Sequence, residues 1–476
     1  MEPTTIASEQ DHLLVCRNSQ GMEILATPVR IHRHQMVFEV YNPASVLQLS
    51  EVLNDLRLVL QGRTVYSGKA VVRNLVNTGT MVVCEVMLDD CWVDAEGLAP
   101  PDSVASVQAG FGRFIEHWQK NYKVLPEYKI IIADMQSFLT ELRLWLEQIE
   151  LGIRSSPSAD RVKLEQDLAR QIGQSTTPAL TALFEKFEAA AQKVPAELQP
   201  IHCAFVRRQL HPILLCAPFL YRTFTKPLGY AGDYEMVNMI ARDPCEGGSL
   251  FAKVLNLWFL SQPPAEAHRN RIRYLSEKIA LVTARAASVG KVARVLTVGC
   301  GPALEVQAFL REKDFSNKAR FTLLDFNQET LVHAEGVIEE LKRRFQRSTQ
   351  VAYAKKSVTL ILKQADKRVE RSSDTQYELV YCAGLYDYLS DQLCQRLSTI
   401  LYDWVAPGGS LITTNVDASN PRRLTMDYVM EWHLSYRTGS RLGALRPSQA
   451  PEDSFAVKCD DSGVNLYFEV SKPEHA

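Results

Sequence analysis

The stretch ARVLTVGCGPALEVQAFLRE, Ala293 to Glu312, constrains the chain more than any other. A β-type apolar run ends in Gly299-Cys300-Gly301, and residues at helical spacing follow at once. Glycines at such a turn give the backbone freedom where a ligand must come close to the main chain. The following helix offers its unpaired first-turn N–H groups to that ligand. A dinucleotide fingerprint asks for a third small residue at the position taken here by Leu304, which weakens a nicotinamide-cofactor reading.

The next apolar run, ARFTLLDFNQETL, ends in Asp325. An acid at the end of a second strand accepts hydrogen bonds from the two hydroxyls of a ribose. It also fits a helix N-cap, and the residues alone leave both roles open. Further on come YELVYCAGLYDYL with its aromatic-rich end, then a Pro-Gly-Gly turn at Pro407–Gly409 leading into another strand, and finally SGVNLYFEVSKP with no helix after it. Apolar strands alternating with helical segments from about residue 266 predict a parallel, doubly wound sheet, closed by a final antiparallel strand.

Upstream the texture differs. ILATPVRIHRHQMVFEVY, RTVYSGKAVVRNLV and TMVVCEVML read as short strands of a small β-barrel. From Ser103 to about Leu220 the apolar spacing is helical, as in FLTELRLWLEQIELGI and ALTALFEKFEAAAQKV, with the polar break RSSPSAD between them. The expected organisation is multidomain: a barrel over about 1–100, a helical region over 101–225, a lid or linker over 226–265, and the α/β domain over 266–476. A net charge of −2 over 476 residues gives no electrostatic footprint for nucleic acid. No window approaches a membrane span, and the N-terminus lacks a basic-then-apolar signal pattern. The ten cysteines form no CxxC pair and read as buried thiols of a reducing cytoplasm, with no metal site.

The ordered set VGCGP, strand-end acid, CAGLYDY and APGG resembles the class I S-adenosylmethionine (SAM)-dependent methyltransferases over about residues 266–472. More narrowly, PLGYAGDYEMVN, CAGLYDYLSD and WHLSYR resemble a bacterial family identified with biosynthesis of 3-hydroxypalmitic acid methyl ester, a fatty-acid methyl ester used in quorum sensing. The resemblance implies SAM as cofactor, with Gly299, Cys300 and Gly301 under its methionine part. It places Asp325 on the ribose and Phe326 at the adenine edge. Ser357 would cap a helix beside the adenine and Val358 offer it an N–H, or the pair are only a cap and a core valine. Glu305 either faces the SAM amine or favours the helix dipole.

Cys382, Tyr386, Asp387 and Tyr388 stand where such enzymes place the acceptor, and the segment lacks the Pro-Pro-aromatic tetrad of DNA amino-methyltransferases. Tyr230, Asp233 and Tyr234 lie in an irregular stretch expected to be a lid. Arg269 or Arg273 would pair with the SAM carboxylate, or both lie on a solvated helix face. His433 and Arg437, four apart on an expected helix, share one face. Arg437 would then hold an acceptor carboxylate and His433 serve as base for a hydroxyl acceptor, or the two only pack in the core or pair at the surface. The segment HPILLCAPFLYRTF lines an acyl tunnel or reads equally as core.

Around Gly68 to Leu88 the chain resembles a PilZ domain, a module that elsewhere binds cyclic di-GMP. The expected turn reads Asn74 to Gly79 with Val76 at the serine position, and Arg30 and Arg33 stand at the wrong spacing, which argues against that ligand. The partners expected are a small-molecule or acyl substrate and, for assembly, a homodimer. A non-catalytic SAM- or nucleotide-responsive regulator is the competing reading from another class.

Overall fold

The structure is a computed structural model and describes residues 12–32, 34–41, 47–60, 63–77, 81–89, 104–121, 123–155, 160–365 and 376–474. It divides into two compact units. One holds residues 1–231, 244–260 and 422–433; the other holds 232–243, 261–421 and 434–476.

The first unit begins with strands β1 (His12–Arg17), β2 (Glu23–Ile31), β3 (Gln35–Val40), β4 (Val52–Leu60), β5 (Arg63–Asn77) and β6 (Val82–Leu88). They close into an antiparallel barrel in the order β1-β2-β3-β6-β5-β4. Alternation makes it so: β3 buries every second residue, placing Met36, Phe38 and Val40 inside with Leu14, Ile24, Leu58, Val72 and Val86. β4 breaks the alternation, because Asp55 takes a left-handed φ of 49° and the register with β5 shifts between Leu53 and Leu56. Of the expected nucleotide-binding turn, residues 74–77 belong to β5, whereas Thr78, Gly79 and Arg33 lie outside the described residues.

Helices follow: α1 (Val104–Asn121), α2 (Pro126–Ser155), α3 (Arg161–Gln192), α4 (Gln199–Leu214) and α5 (Pro218–Thr225). In chain order next come α6 (Tyr234–Ala241), α7 (Leu250–Leu260) and α8 (Pro263–Ser288). Of these, α7 belongs to the first unit, packing Trp258 on Phe184 at 4.2 Å between ring centroids. The barrel is bonded to this helical region: Arg73 donates to Gln199, and Val52 N–H donates to the Gly229 carbonyl at 2.8 Å. Barrel and helices thus form one unit.

The second unit is built on β7 (Ala293–Val298), α9 (Leu304–Glu312), β8 (Ala319–Asp325), α10 (Gln328–Arg344), β9 (Gln350–Lys355), α11 (Val358–Ala365), β10 (Tyr377–Cys382), α12 (Asp391–Asp403) and β11 (Val405–Val416). Helix α13 (Arg423–Val429) returns to the first unit, where Glu188 accepts the Leu424 and Thr425 N–H groups at 3.0 and 2.7 Å. Helix α14 (Gly439–Gly443) and strands β12 (Phe455–Cys459) and β13 (Asn465–Ser471) complete the second unit.

The sheet order is β12-β13-β11-β10-β7-β8-β9. β7 to β11 run parallel, and β13 is antiparallel to both β11 and β12. Numbering the strands of this unit from β7 as 1, the order is 3-2-1-4-5-7-6. This is the class I methyltransferase topology, a doubly wound sheet with a reversed last strand. The winding changes direction between β7 and β10, and in such sheets the ligand crevice lies at the carboxyl ends of those strands.

Candidate functional site

The turn after β7 opens at that switch point. Gly299 and Gly301 have φ of +71° and +52°, and a Cβ on either would meet nothing within 4 Å. The turn is a bare backbone cradle. Its shape is fixed from the neighbouring strand: Gly299 and Cys300 N–H both donate to the Leu324 carbonyl, at 2.8 and 3.0 Å. Gly301 N–H donates to Asp325 Oδ2 at 3.1 Å. Asp325 Oδ1 accepts the Asn327 N–H at 2.9 Å.

Asp325 is not the helix cap; Asn327 is, accepting the Thr330 N–H at 3.2 Å. Burial raises the Asp325 carboxyl above its ordinary range, and the backbone donors around it oppose the shift. Both of its oxygens are acceptors, the kind of group that two neighbouring ribose hydroxyls donate to. The Cys300 thiol is buried and held well above the ordinary thiol range, so it fills space and is no nucleophile.

Ala303 was not singled out in the sequence, yet it completes the turn. It is fully buried, with a left-handed φ of 54°, at the N-cap of α9. The third small residue therefore exists, two positions after Gly301. The signal was present in Gly-Cys-Gly-Pro-Ala and was hidden by reading Leu304 as the third position.

Glu305, in the first turn of α9, is buried, and its Oε1 accepts the Tyr381 hydroxyl at 2.7 Å. Burial lifts its carboxyl above the ordinary value, opposed first by that hydroxyl. Ser357 Oγ accepts the Leu360 N–H at 3.3 Å at the start of α11, and Val358 packs its side chain into the core with Leu324. Phe326 directly follows Asp325 at the end of β8 and is half-buried.

The residues beyond β10 are not placed alike. Cys382 is fully buried in the core. Tyr386 is fully buried too, and its hydroxyl is shared with Ser398 Oγ at 2.7 Å and the Cys394 carbonyl at 3.3 Å. It is a core residue rather than an acceptor-facing one, because its ring points under the strand end, toward α12. Asp387 Oδ1 accepts the Val416 N–H at 2.7 Å, and burial pushes its carboxyl up to about 6. Tyr388 is half-buried, with its hydroxyl oxygen 2.6 Å from where a Cβ on Gly232 would lie.

Arg437 corrects the expectation most clearly. It is fully buried, and its guanidinium donates to Asp391 Oδ1 at 2.8 Å, the Tyr386 carbonyl at 2.7 Å, the Leu389 carbonyl at 2.6 Å and Asn415 Oδ1. It stitches the β10 and β11 ends together and has no fork left for a substrate carboxylate. Nor do His433 and Arg437 share a helix face. Residues 431–436 are not helical, Arg437 bridges to Asp417 beside the end of β11, and the two residues belong to different units.

His433, in the first unit, pairs its Nδ1 with Asp427 at 3.2 Å, and burial holds its pKa below the ordinary value. Tyr230 also belongs to that unit. The same unit contains a cavity of about 730 Å³ to which His211, Pro212, Leu215, Cys216 and Phe224 of HPILLCAPFLYRTF contribute, together with Arg208.

The expected lid is split between the units at Ala231/Gly232. In the second unit Asp233 caps α6, accepting the Met236 N–H at 2.8 Å, while Tyr234 bonds Glu329 at 2.9 Å and stacks on His333. Arg269 is taken up by Glu266 at 2.8 Å and the Ile240 carbonyl at 3.1 Å, and Arg273 by Glu266 and Asn270. Between them Arg271, which sequence spacing does not distinguish from its neighbours, is buried with its guanidinium near Gly384.

No protein-family profile and no curated protein matches the chain. Among solved structures it is similar to an N-methyltransferase from Bradyrhizobium japonicum in complex with S-adenosyl-L-homocysteine, at 16% identity over 51% of this chain and 98% of that one, with a TM-score of 0.29. It is similar to magnesium protoporphyrin IX methyltransferase from Synechocystis PCC 6803 with the same bound product, at 8% identity over 57% and 99%, TM-score 0.33. A third is an O-methyltransferase family protein from Burkholderia thailandensis, at 13% identity over 60% and 75%, TM-score 0.33. Likenesses this low carry no argument of their own. The strand order, the bare glycine turn and the buried strand-end acid are what make this the fold of a SAM-dependent methyltransferase.

Proposed function

We propose that the chain is a SAM-dependent O-methyltransferase that esterifies a carboxylate, with a fatty acid as the acceptor class. The observation that carries the methyltransferase reading is the 3-2-1-4-5-7-6 sheet with an open glycine cradle tied to Asp325 at its switch point. Gly299 and Gly301 would hold the methionine part of SAM, and Asp325 the ribose. When bound, SAM supplies an electrophilic methyl group on a sulfonium. The chain's own residues orient the acceptor for in-line attack and exclude water.

The carboxylate acceptor rests on the motif resemblance and on a chemical point. A carboxylate is already ionised near neutral pH and needs no general base. A hydroxyl acceptor is the second reading, favoured by Asp387, whose buried carboxyl sits near pH 6 at the end of β10. A protein carboxylate is a further alternative within the same chemistry. The barrel is proposed as a docking or regulatory module without nucleotide, since exposed Val76 replaces the hydroxyl such a turn would use.

The test is incubation of the full chain with methyl-labelled SAM and lipid or protein extracts, followed by mild alkali. Release of labelled methanol from a lipid fraction is expected. Label that survives alkali as an ether or amine contradicts the ester, and activity that then falls as pH drops through about 6 assigns Asp387 as base.

A further inference from the structure

Lys226 directly follows helix α5 and is only 3% exposed. It takes a left-handed φ of 46°, a conformation that glycine adopts at helix ends without strain. Its ammonium donates to the Phe224 and Met430 carbonyls at 3.2 and 3.3 Å, and among the described residues no carboxylate pairs with it. A buried charge is costly unless an anion answers it. Burial, with the nearby Arg207 charge adding to it, lowers the ammonium to about 7.

The two carbonyls that hold Lys226 belong to the wall of a cavity or adjoin it. Phe224 lines the cavity, and Met430 precedes Glu431, which lines it as well. At about 730 Å³ the cavity is in the range of small-molecule sites. Much of the wall is apolar, with Met87 and Leu88 from the end of β6 facing Pro212, Leu215 and Phe224 of the helical region. Its arginines and carboxylates balance, Arg207 and Arg208 against Asp89 and Glu431, and Arg207 is ion-paired with Glu431. Of its histidines, His34 and His211, the second is held by burial to about 4 and is neutral near pH 7. Lys226 is the positive charge left over. All these residues belong to the first unit, which does not contain the glycine turn.

We propose that this cavity binds an amphipathic monoanion, a carboxylate on a single alkyl chain, with the head answering Lys226 and the chain along the apolar wall. One unanswered ammonium asks for one negative charge, and a dianionic phosphate head would bring a second, unpaired charge out of water. The carboxylate would in turn hold Lys226 in its charged form. No residue of the cavity belongs to the unit that holds the cofactor cradle, so this binding needs no SAM and stands apart from the methyltransferase reading. It gives the barrel and its helices a ligand of their own.

The test is calorimetric titration of the full chain at pH 7, without SAM, using octanoate and octanamide, which has the same shape and no charge. The parent should bind octanoate saturably and prefer it to the amide by about 10-fold or more. Lys226→Met should weaken octanoate by about 10–100-fold and leave octanamide within about three-fold. Leu215→Trp, which fills the cavity from its apolar side, should weaken both. A parent that binds neither probe, or binds the amide as well as the acid, overturns the proposal without any variant and leaves the methyltransferase reading standing. Octanoate binding that survives Leu215→Trp lies elsewhere, as at an acceptor site in the other unit, and overturns it too. A folded Lys226→Met protein that keeps the preference for the acid removes the lysine from the site and overturns it.

Discussion

The carboxylate of Asp325 holds the backbone N–H of Gly301 at 3.1 Å, so the end of the second strand fixes the turn at the end of the first. One side chain shapes the cradle and offers the remaining lone pairs to a ribose. Asp325→Ala should therefore weaken S-adenosylhomocysteine binding by about 1.5–3 kcal/mol, the loss expected for hydrogen bonds to a charged acceptor. Calorimetry of parent and variant checks this, and equal affinity contradicts the placement.

Ala303 bears the left-handed conformation at the start of α9 without being glycine. For an L-residue that costs roughly 1–2 kcal/mol. Ala303→Gly should raise stability by about 1 kcal/mol, net of the greater chain entropy of glycine when unfolded, and Ala303→Val should lower it. Urea unfolding of the three proteins decides. A glycine variant less stable than the parent contradicts the strain argument.

Arg437 is a tie between strand ends. Removing it takes one donor from Asp391, which keeps Arg441 at 2.7 Å, and strips the guanidinium from the Tyr386 and Leu389 carbonyls and Asn415 Oδ1. Arg437→Ala should cost about 3–5 kcal/mol of stability, read as a lowered Tm with or without substrate. A variant that melts like the parent and shows only a raised KM would restore the arginine to the acceptor site.

The α/β half was legible because its signals are local. A strand must be apolar, the turn after it must carry glycine, and the acid must close the next strand, so Gly299, Gly301 and Asp325 stand out in a single sequence. What was hidden depends on partners far away in the chain. Nothing in WHLSYR shows that Arg437 will find Asp391 and the Tyr386 carbonyl, and helical spacing of polar residues concealed a non-helical segment. The row Ala267, Arg271, Leu275 is visible as spacing, but an arginine in it reads as an exposed residue until Gly384 is placed against it. In the barrel, the left-handed turn at Asp55 spoils the alternation of β4, so spacing alone does not mark that strand. Helix α13 lies in sequence inside the sheet domain, yet residues 422–433 leave that unit and return within a few turns of chain, which no local signal shows.

Asp387 gives a pH signature. Burial lifts its folded-state pKa from 3.8 to about 6, so the fold favours the protonated acid. That stabilisation is complete below about pH 3.8 and is lost as pH rises through about 6. Asp387→Asn keeps an oxygen for the Val416 N–H and cannot ionise. Its stability relative to the parent should rise between pH 4 and pH 7 (roughly), by up to about 3 kcal/mol. Parallel melting curves across that range contradict the buried-acid assignment.

The central claim is that the turn from Gly299 to Ala303, braced by Asp325, is a SAM site. Titration of the full chain with S-adenosylhomocysteine, and in parallel with NAD, tests it most directly. The account predicts saturable binding of one S-adenosylhomocysteine per chain and no binding of NAD. Binding of NAD, or no saturable binding of S-adenosylhomocysteine by the folded protein, contradicts it.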